Sequence, residues 1–206
     1  MIALQDLKKR ISKKLESSAL SPKILKSHFK IGTDRPVYLF DDPTYMPMYY
    51  QLGKILNNTK TLLEFGFDLG MPSGCFIKGC PDVEHFLAFR KKDDLYYSKR
   101  LGAANIHNIW KKKFDFWIGQ ETDAEFVKAV LLQKWDCVII ADQGKKEGDY
   151  RSYLDLVWNQ MRSGGVVVID FLKDHNVRDA LQKFCRLQNR ESMSLETIRG
   201  TGILQK

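Results

Sequence analysis

Nowhere in the 206 residues does an apolar run approach the ~20 needed to cross a bilayer, and the opening Met1-Ile2-Ala3-Leu4-Gln5-Asp6 lacks the basic-then-apolar order of a secretory signal. Both absences predict a cytoplasmic protein with no membrane partner. Cysteine is scarce: Cys75, Cys80, Cys137 and Cys185 form neither a Cys-x-x-Cys pair nor a zinc-finger spacing, which sets disulfide frameworks and metal-sulfur chemistry aside in favour of reduced, buried thiols. Histidine is as sparse, and His28, His85, His107 and His175 stand too far apart for a metal or triad pattern. No internal repeat or low-complexity tract interrupts the chain. The 44% apolar and 28% charged shares are those of an ordinary globular protein, and the length suits one sizeable domain.

Negative charge is thin at one end. Residues 1–35 carry nine Lys or Arg against Asp6, Glu16 and Asp34, so +6 of the net +8 lies there. Such a segment either faces water along a helix or meets a polyanion, in which case residues 1–35 would hold nucleic acid by counterion release. Leu4, Leu7, Ile11 and Leu15 recur at spacings of three and four and predict an amphipathic helix with its lysines outward. Ser21-Pro22 opens a turn or short helix, the prolines at 36, 43 and 47 mark a loop, and Tyr49–Leu56 reads as helical. Residues 1–58 are thus expected to form a basic helical cap on an α/β domain of residues 59–206.

From Thr61 onward, short apolar runs alternate with helical patterns, the signature of parallel βαβ units. Strands are predicted at Thr61–Phe65, His85–Phe89, Phe114–Ile118, Cys137–Ala141, Val166–Phe171 and Leu195–Ile198, with Gly202–Gln205 as a seventh. Helices are predicted near Ser73–Cys80, Asp94–Ala104, Ala124–Lys134, Tyr150–Met161 and Val177–Leu187.

The turn after the first strand reads Glu64-Phe65-Gly66-Phe67-Asp68-Leu69-Gly70-Met71-Pro72-Ser73. Gly66 permits a sharp bend and Gly70 a close backbone approach, while Pro72 and Ser73 suit a helix start whose free N–H groups attract an anion. A structural strand-turn-helix has the same appearance. The run Glu64-x-Gly66-x-x-x-Gly70-x-x-Ser73 resembles the first motif of class I S-adenosylmethionine-dependent methyltransferases, above all the small O-methyltransferases. Trp135–Asp170 resembles their second half: an acid after the fourth strand (Asp142), a helix carrying Tyr150, the double glycine Gly164-Gly165 and a fifth strand ending in Asp170.

The resemblance implies a doubly wound, mostly parallel seven-stranded sheet with helices on both faces. It implies S-adenosylmethionine held by Glu64, Gly66, Phe67, Gly70 and Ser73, with Gln120 near the adenine, and methyl transfer to an oxygen of a small molecule or sugar. It also implies Asp142 and Asp170 as catalytic acids, able to hold a magnesium ion between them as in some relatives, although Phe171 stands where an amide ligand would be. The family's ribose-binding acid after the second strand is replaced by Arg90-Lys91-Lys92, with Asp93 and Asp94 only beyond. That departure keeps open a catalytically inactive binding or assembly module. Asp170 pairing with Lys173 or His175, and Thr122 capping a helix, are the plain structural readings of those residues. Tyr45, Met46, Met48, Tyr49 and Tyr50 either line an acceptor pocket or fill the core.

Overall fold

The computed structural model describes residues 3–17, 27, 29, 42–92, 96–142 and 147–206. The expected turn at Ser21-Pro22, most of the proline-rich loop, the acids Asp93 and Asp94, and Gln143-Gly144 lie outside these residues. Two helices precede the sheet, α1 (Leu4–Ser17) and α2 (Tyr45–Ile55). Then follow β1 (Thr61–Phe65), α3 (Met71–Gly79), β2 (His85–Lys91), α4 (Tyr96–Trp110), β3 (Asp115–Gly119) and α5 (Ala124–Leu131). The chain closes with β4 (Trp135–Ile140), α6 (Glu147–Trp158), β5 (Met161–Asp170), α7 (His175–Gln188), β6 (Ser192–Leu195) and β7 (Thr201–Gln205).

The seven strands lie in the order β3-β2-β1-β4-β5-β7-β6, parallel except where β7 runs antiparallel to both β5 and β6. Strand alternation divides the core into two layers. Leu62, Phe86, Ala88, Cys137, Ile139, Val166 and Val168 face α1 to α4, whereas Leu63, Phe65, Leu87, Phe89, Val138, Ile140, Val167 and Ile169 face α5 to α7. Because both faces are covered, central strands such as Cys137-Val138-Ile139-Ile140 are apolar at every position. Leu7 and Ile11 of α1 are fully buried in the first layer, together with Tyr45, Met48, Tyr49 and Leu52 of α2. At roughly 1.5–3 kcal/mol for each large apolar side chain removed from water, these residues bind the cap to the sheet. Tyr45, Met46, Met48 and Tyr49 of α2 are therefore core residues, and Tyr50 is partly buried against them. All four cysteines are buried free thiols.

Several boundaries move. β2 runs on through Arg90 and Lys91, since a strand ends where its ladder ends and not where its apolar run does. β5 begins at Met161, taking the expected double-glycine turn into the strand; the register against β4 slips between Trp135 and Cys137, and Gly164 has a φ of +79°. β6 is Ser192–Leu195, displaced from the expected Leu195–Ile198: its alternation of exposed serines with buried Met193 and Leu195 marks a half-buried edge strand. No described helix is long and apolar enough to cross a membrane.

Candidate active site

The carboxyl ends of β1, β4 and β5 gather three acids. Glu64, in β1, faces the α2–α3 layer and is completely buried; neither of its carboxylate oxygens, nor the hydroxyl of buried Ser73, has a hydrogen-bond partner among the described residues. Burial pushes the Glu64 carboxyl up to about 8; the Ser73 hydroxyl and N–H, beside it but short of hydrogen-bond geometry, pull it down, and nearby Asp170 adds to the rise. A buried charge without a partner is costly, so this carboxyl waits for a cation or keeps its proton.

Asp170, at the end of β5, lies on the same face and is also fully buried, but it is satisfied. Tyr45 donates to one oxygen, while Tyr49, at 2.8 Å, and Thr201, at 3.0 Å, donate to the other. Burial raises its carboxyl despite these bonds and the Arg199 charge nearby, and the same burial raises both phenols well above their ordinary value. The partners are thus hydroxyls of the cap and of β7, not Lys173 or His175; His175 sits instead 3.8 Å from Asp174, which caps α7. Arg199 lies over the rings of Phe171 (4.4 Å) and Tyr45 (5.3 Å), and Phe171 itself has a φ of +71°.

Asp142 points the other way. Two residues beyond the end of β4, its carboxylate accepts from Tyr153 of α6 at 2.6 Å, and its carbonyl accepts from Tyr150. Tyr153 stacks on Phe65 at 4.4 Å in the α5–α7 layer, and Lys91 lies 5.6 Å over its ring. Strand parity explains the divergence: Ala141 takes the first layer, so Asp142 takes the second, whereas Asp170 alternates with Ile169 into the first. This geometry lends no support to the magnesium site expected between Asp142 and Asp170. The two carboxylates leave opposite faces of the sheet, three hydroxyls engage Asp170, and the described residues hold no group of three His, Cys, Asp or Glu able to bind a metal.

Gly66 (φ +82°) presses against the β4 end, so that a Cβ there would run into the backbone of Asp142. Gly70 (φ +69°) caps α3 in the left-handed region and abuts the ring of Phe67 and Ile106. Phe67 is buried among Phe86, Phe114 and Phe116, and its N–H donates to the Phe89 carbonyl at 3.0 Å. Its carbonyl accepts from Arg90 at 2.9 Å, and the same guanidinium pairs with Asp68 at 3.2 Å. Arg90 therefore braces the glycine turn from the place where an acid was sought. Gln120 is exposed at the end of β3, its N–H donating to Asp123 at 2.9 Å, and Asp123 rather than Thr122 occupies the cap of α5. Tyr153, Thr201 and Arg199 carried no sequence signal. Tyr45 and Tyr49 did, because a spacing of four places both phenols on one helix face.

No protein-family model and no curated protein matches the chain. Solved structures do. A caffeoyl-CoA O-methyltransferase-like protein from Staphylococcus aureus is similar over 98% of this chain and 99% of its own, with a TM-score of 0.64 and 16% identity. An O-methyltransferase from Bacillus cereus, solved with S-adenosylhomocysteine, is similar over 97% and 100%, with a TM-score of 0.64 and 11% identity. TomG from Streptomyces achromogenes, an O-methyltransferase of tomaymycin synthesis solved with S-adenosylmethionine, is similar over 100% and 99%, with a TM-score of 0.62 and 14% identity. The chain has the class I methyltransferase fold.

The buried residues can be tested against the cofactor that this methyltransferase fold implies. Its amino-acid end fits: the orphaned Glu64 carboxyl suits an ammonium, and the first-turn amides of α3 suit a carboxylate. The ribose end fits less well, because the described end of β2 offers Arg90 and Lys91 in place of an acid.

Proposed function

We propose that this protein methylates an oxygen of a small molecule, with S-adenosylmethionine as donor. The reading rests on one observation: a fully buried carboxyl with both oxygens unpartnered, at the end of β1 in a methyltransferase sheet. Glu64 holds the ammonium of the cofactor, Ser73 and the start of α3 hold its carboxylate, and the bends at Gly66 and Gly70 set the course of the backbone between them. When bound, the cofactor supplies an electrophilic methyl group. The protein's own task is orientation, exclusion of water and removal of the acceptor's proton. Asp142 is the residue assigned to the proton: it is half-buried at the end of β4, and Tyr153 donates to its carboxylate at 2.6 Å and so orients it. Asp170 is assigned to holding the cap in place.

Neighbours of this fold act in caffeoyl-CoA-type and tomaymycin chemistry, which supports a small-molecule acceptor. They favour neither the inactive module nor a nucleic-acid acceptor held by the exposed Lys8, Lys9, Arg10, Lys13 and Lys14 of α1. Thermal denaturation with S-adenosylhomocysteine tests the proposal. A ligand at 100 times its dissociation constant adds about 2.7 kcal/mol of stability. Stabilisation of the wild type that is lost in Glu64→Gln is the expected result; an unchanged melting temperature at millimolar ligand would refute it.

A further inference from the structure

The turn between β1 and α3 is laid across the end of β2 and held there. The N–H groups of Gly66 and Phe67 both donate to the Phe89 carbonyl at 3.0 Å, Arg90 donates to the Phe67 carbonyl at 2.9 Å, and buried Asn105 of α4 donates to the Leu69 carbonyl at 3.1 Å. A Cβ at Gly102 would strike the carbonyl of Asp68, so α4 also packs flush against the middle of the turn. Strand alternation sets the side on which these groups lie. Arg90 follows Phe86 and Ala88 into the layer of Glu64, whereas Lys91 takes the other, over Tyr153 and 3.6 Å from Glu121.

Burial is the main cause of the raised Glu64 carboxyl, and two further acids, Asp170 and Asp68, stand near enough to add to it. Asp170 is fully buried among three hydroxyls. Asp68 differs: its side chain is 38% exposed, with Oδ1 3.2 Å from an Arg90 guanidinium that is only 7% exposed. Of this pair it is the carboxylate, not the cation, that a ligand beside Glu64 meets. A guanidinium only donates hydrogen bonds, whereas a carboxylate, with about four lone-pair sites, accepts from several donors at once. Given the cofactor reading above, with the ammonium at Glu64, we propose that Asp68 accepts hydrogen bonds from the ribose hydroxyls of S-adenosylmethionine. Arg90 is then a positioning residue, steadying from the end of β2 a carboxylate that the neighbouring turn supplies. The cleft thereby selects an unmodified ribose diol, because a phosphate on the sugar would bring a second anion against Asp68.

Calorimetric titration of the full-length protein with S-adenosylhomocysteine and its 2′-deoxy and 3′-deoxy analogues sets hydroxyl against carboxylate. For the wild type, loss of a hydroxyl that Asp68 accepts should weaken binding about ten- to hundredfold. In Asp68→Ala the three ligands should bind within roughly threefold of one another, because the partner of the hydroxyls is gone. Glu64→Gln should weaken all three and leave the wild-type ratio standing, which separates this contact from the ammonium site. If Asp68→Ala instead weakens all three equally with the ratio intact, Asp68 only shapes the turn and the proposal falls; a wild type indifferent to both hydroxyls sinks it as well. Should Asp68→Ala fail to fold, Asp68→Asn carries the decision, its neutral amide shrinking the same ratio. Absence of S-adenosylhomocysteine binding by the wild type overturns the cofactor reading and this contact together.

Discussion

Tyr153 donates its phenol to the carboxylate of Asp142 at 2.6 Å, joining the middle of α6 to the end of β4 beside a cluster of Phe65, Phe89 and Phe126. The tyrosine is fully buried and packed on Phe65, so it fixes where the carboxylate can point. If Asp142 removes the acceptor's proton, Asp142→Asn should lower kcat by about 10²–10⁴-fold and leave S-adenosylhomocysteine binding unchanged. Tyr153→Phe should lower kcat by roughly tenfold, a loss of orientation alone. Single-turnover rates beside cofactor titrations measure both; full activity in Asp142→Asn would remove the assignment.

Gly66 yields a prediction about stability that is separate from catalysis. Its φ of +82° is strained for any other residue, and a Cβ would strike the Asp142 backbone. Gly66→Ala should cost at least about 2 kcal/mol in denaturant unfolding, through strain and displacement of the β4 end together. A smaller loss would mean that the two strand ends have room to part.

The Asp170 network is legible as an anchor for the cap. Hydrogen bonds to charged groups contribute about 1.5–3 kcal/mol, and three hydroxyls from α2 and β7 meet on this one carboxylate. Tyr49→Phe should therefore destabilise the protein by about 1–3 kcal/mol. Tyr45→Phe with Tyr49→Phe should cost less than the sum of the single changes, because both phenols serve one partner. Faster proteolysis within α2 before global unfolding would locate the damage in the cap.

Much of this was readable from sequence, for identifiable reasons. The strand at Thr61–Phe65 was found to the residue because a buried parallel strand must be apolar on both faces and is bounded by turn residues. Glu64 stood out by violating that rule. What escaped was whatever depends on pairing across the fold. Nothing local tells that Arg90 bends back to the Phe67 carbonyl, or that Asp142 and Asp170, alike at their strand ends, leave opposite faces of the sheet. That second fact follows from counting residues past each strand end, but the count needs the strand boundaries. These came out displaced at β5 and β6, where a bulge and a half-exposed edge blur the apolar signal.

Glu64 links the candidate cofactor site to pH. With its carboxyl at about 8 it is mostly protonated in the free protein at neutral pH. A raised acid stabilises the fold fully below its unfolded value of 4.5, and that contribution is lost as pH rises to about 8. Stability should accordingly decline from acid to mildly alkaline pH, and Glu64→Gln should flatten the decline. An ammonium docking against Glu64 favours the charged form, so the carboxyl drops and a proton leaves. Calorimetry of S-adenosylhomocysteine binding at pH 7, run in buffers of different ionisation enthalpy, should show close to one proton released. Glu64→Gln should weaken binding and release none. Wild-type binding with no proton exchange would mean that the carboxyl is already ionised or never meets the ammonium, and either would move the amino-acid end of the ligand elsewhere.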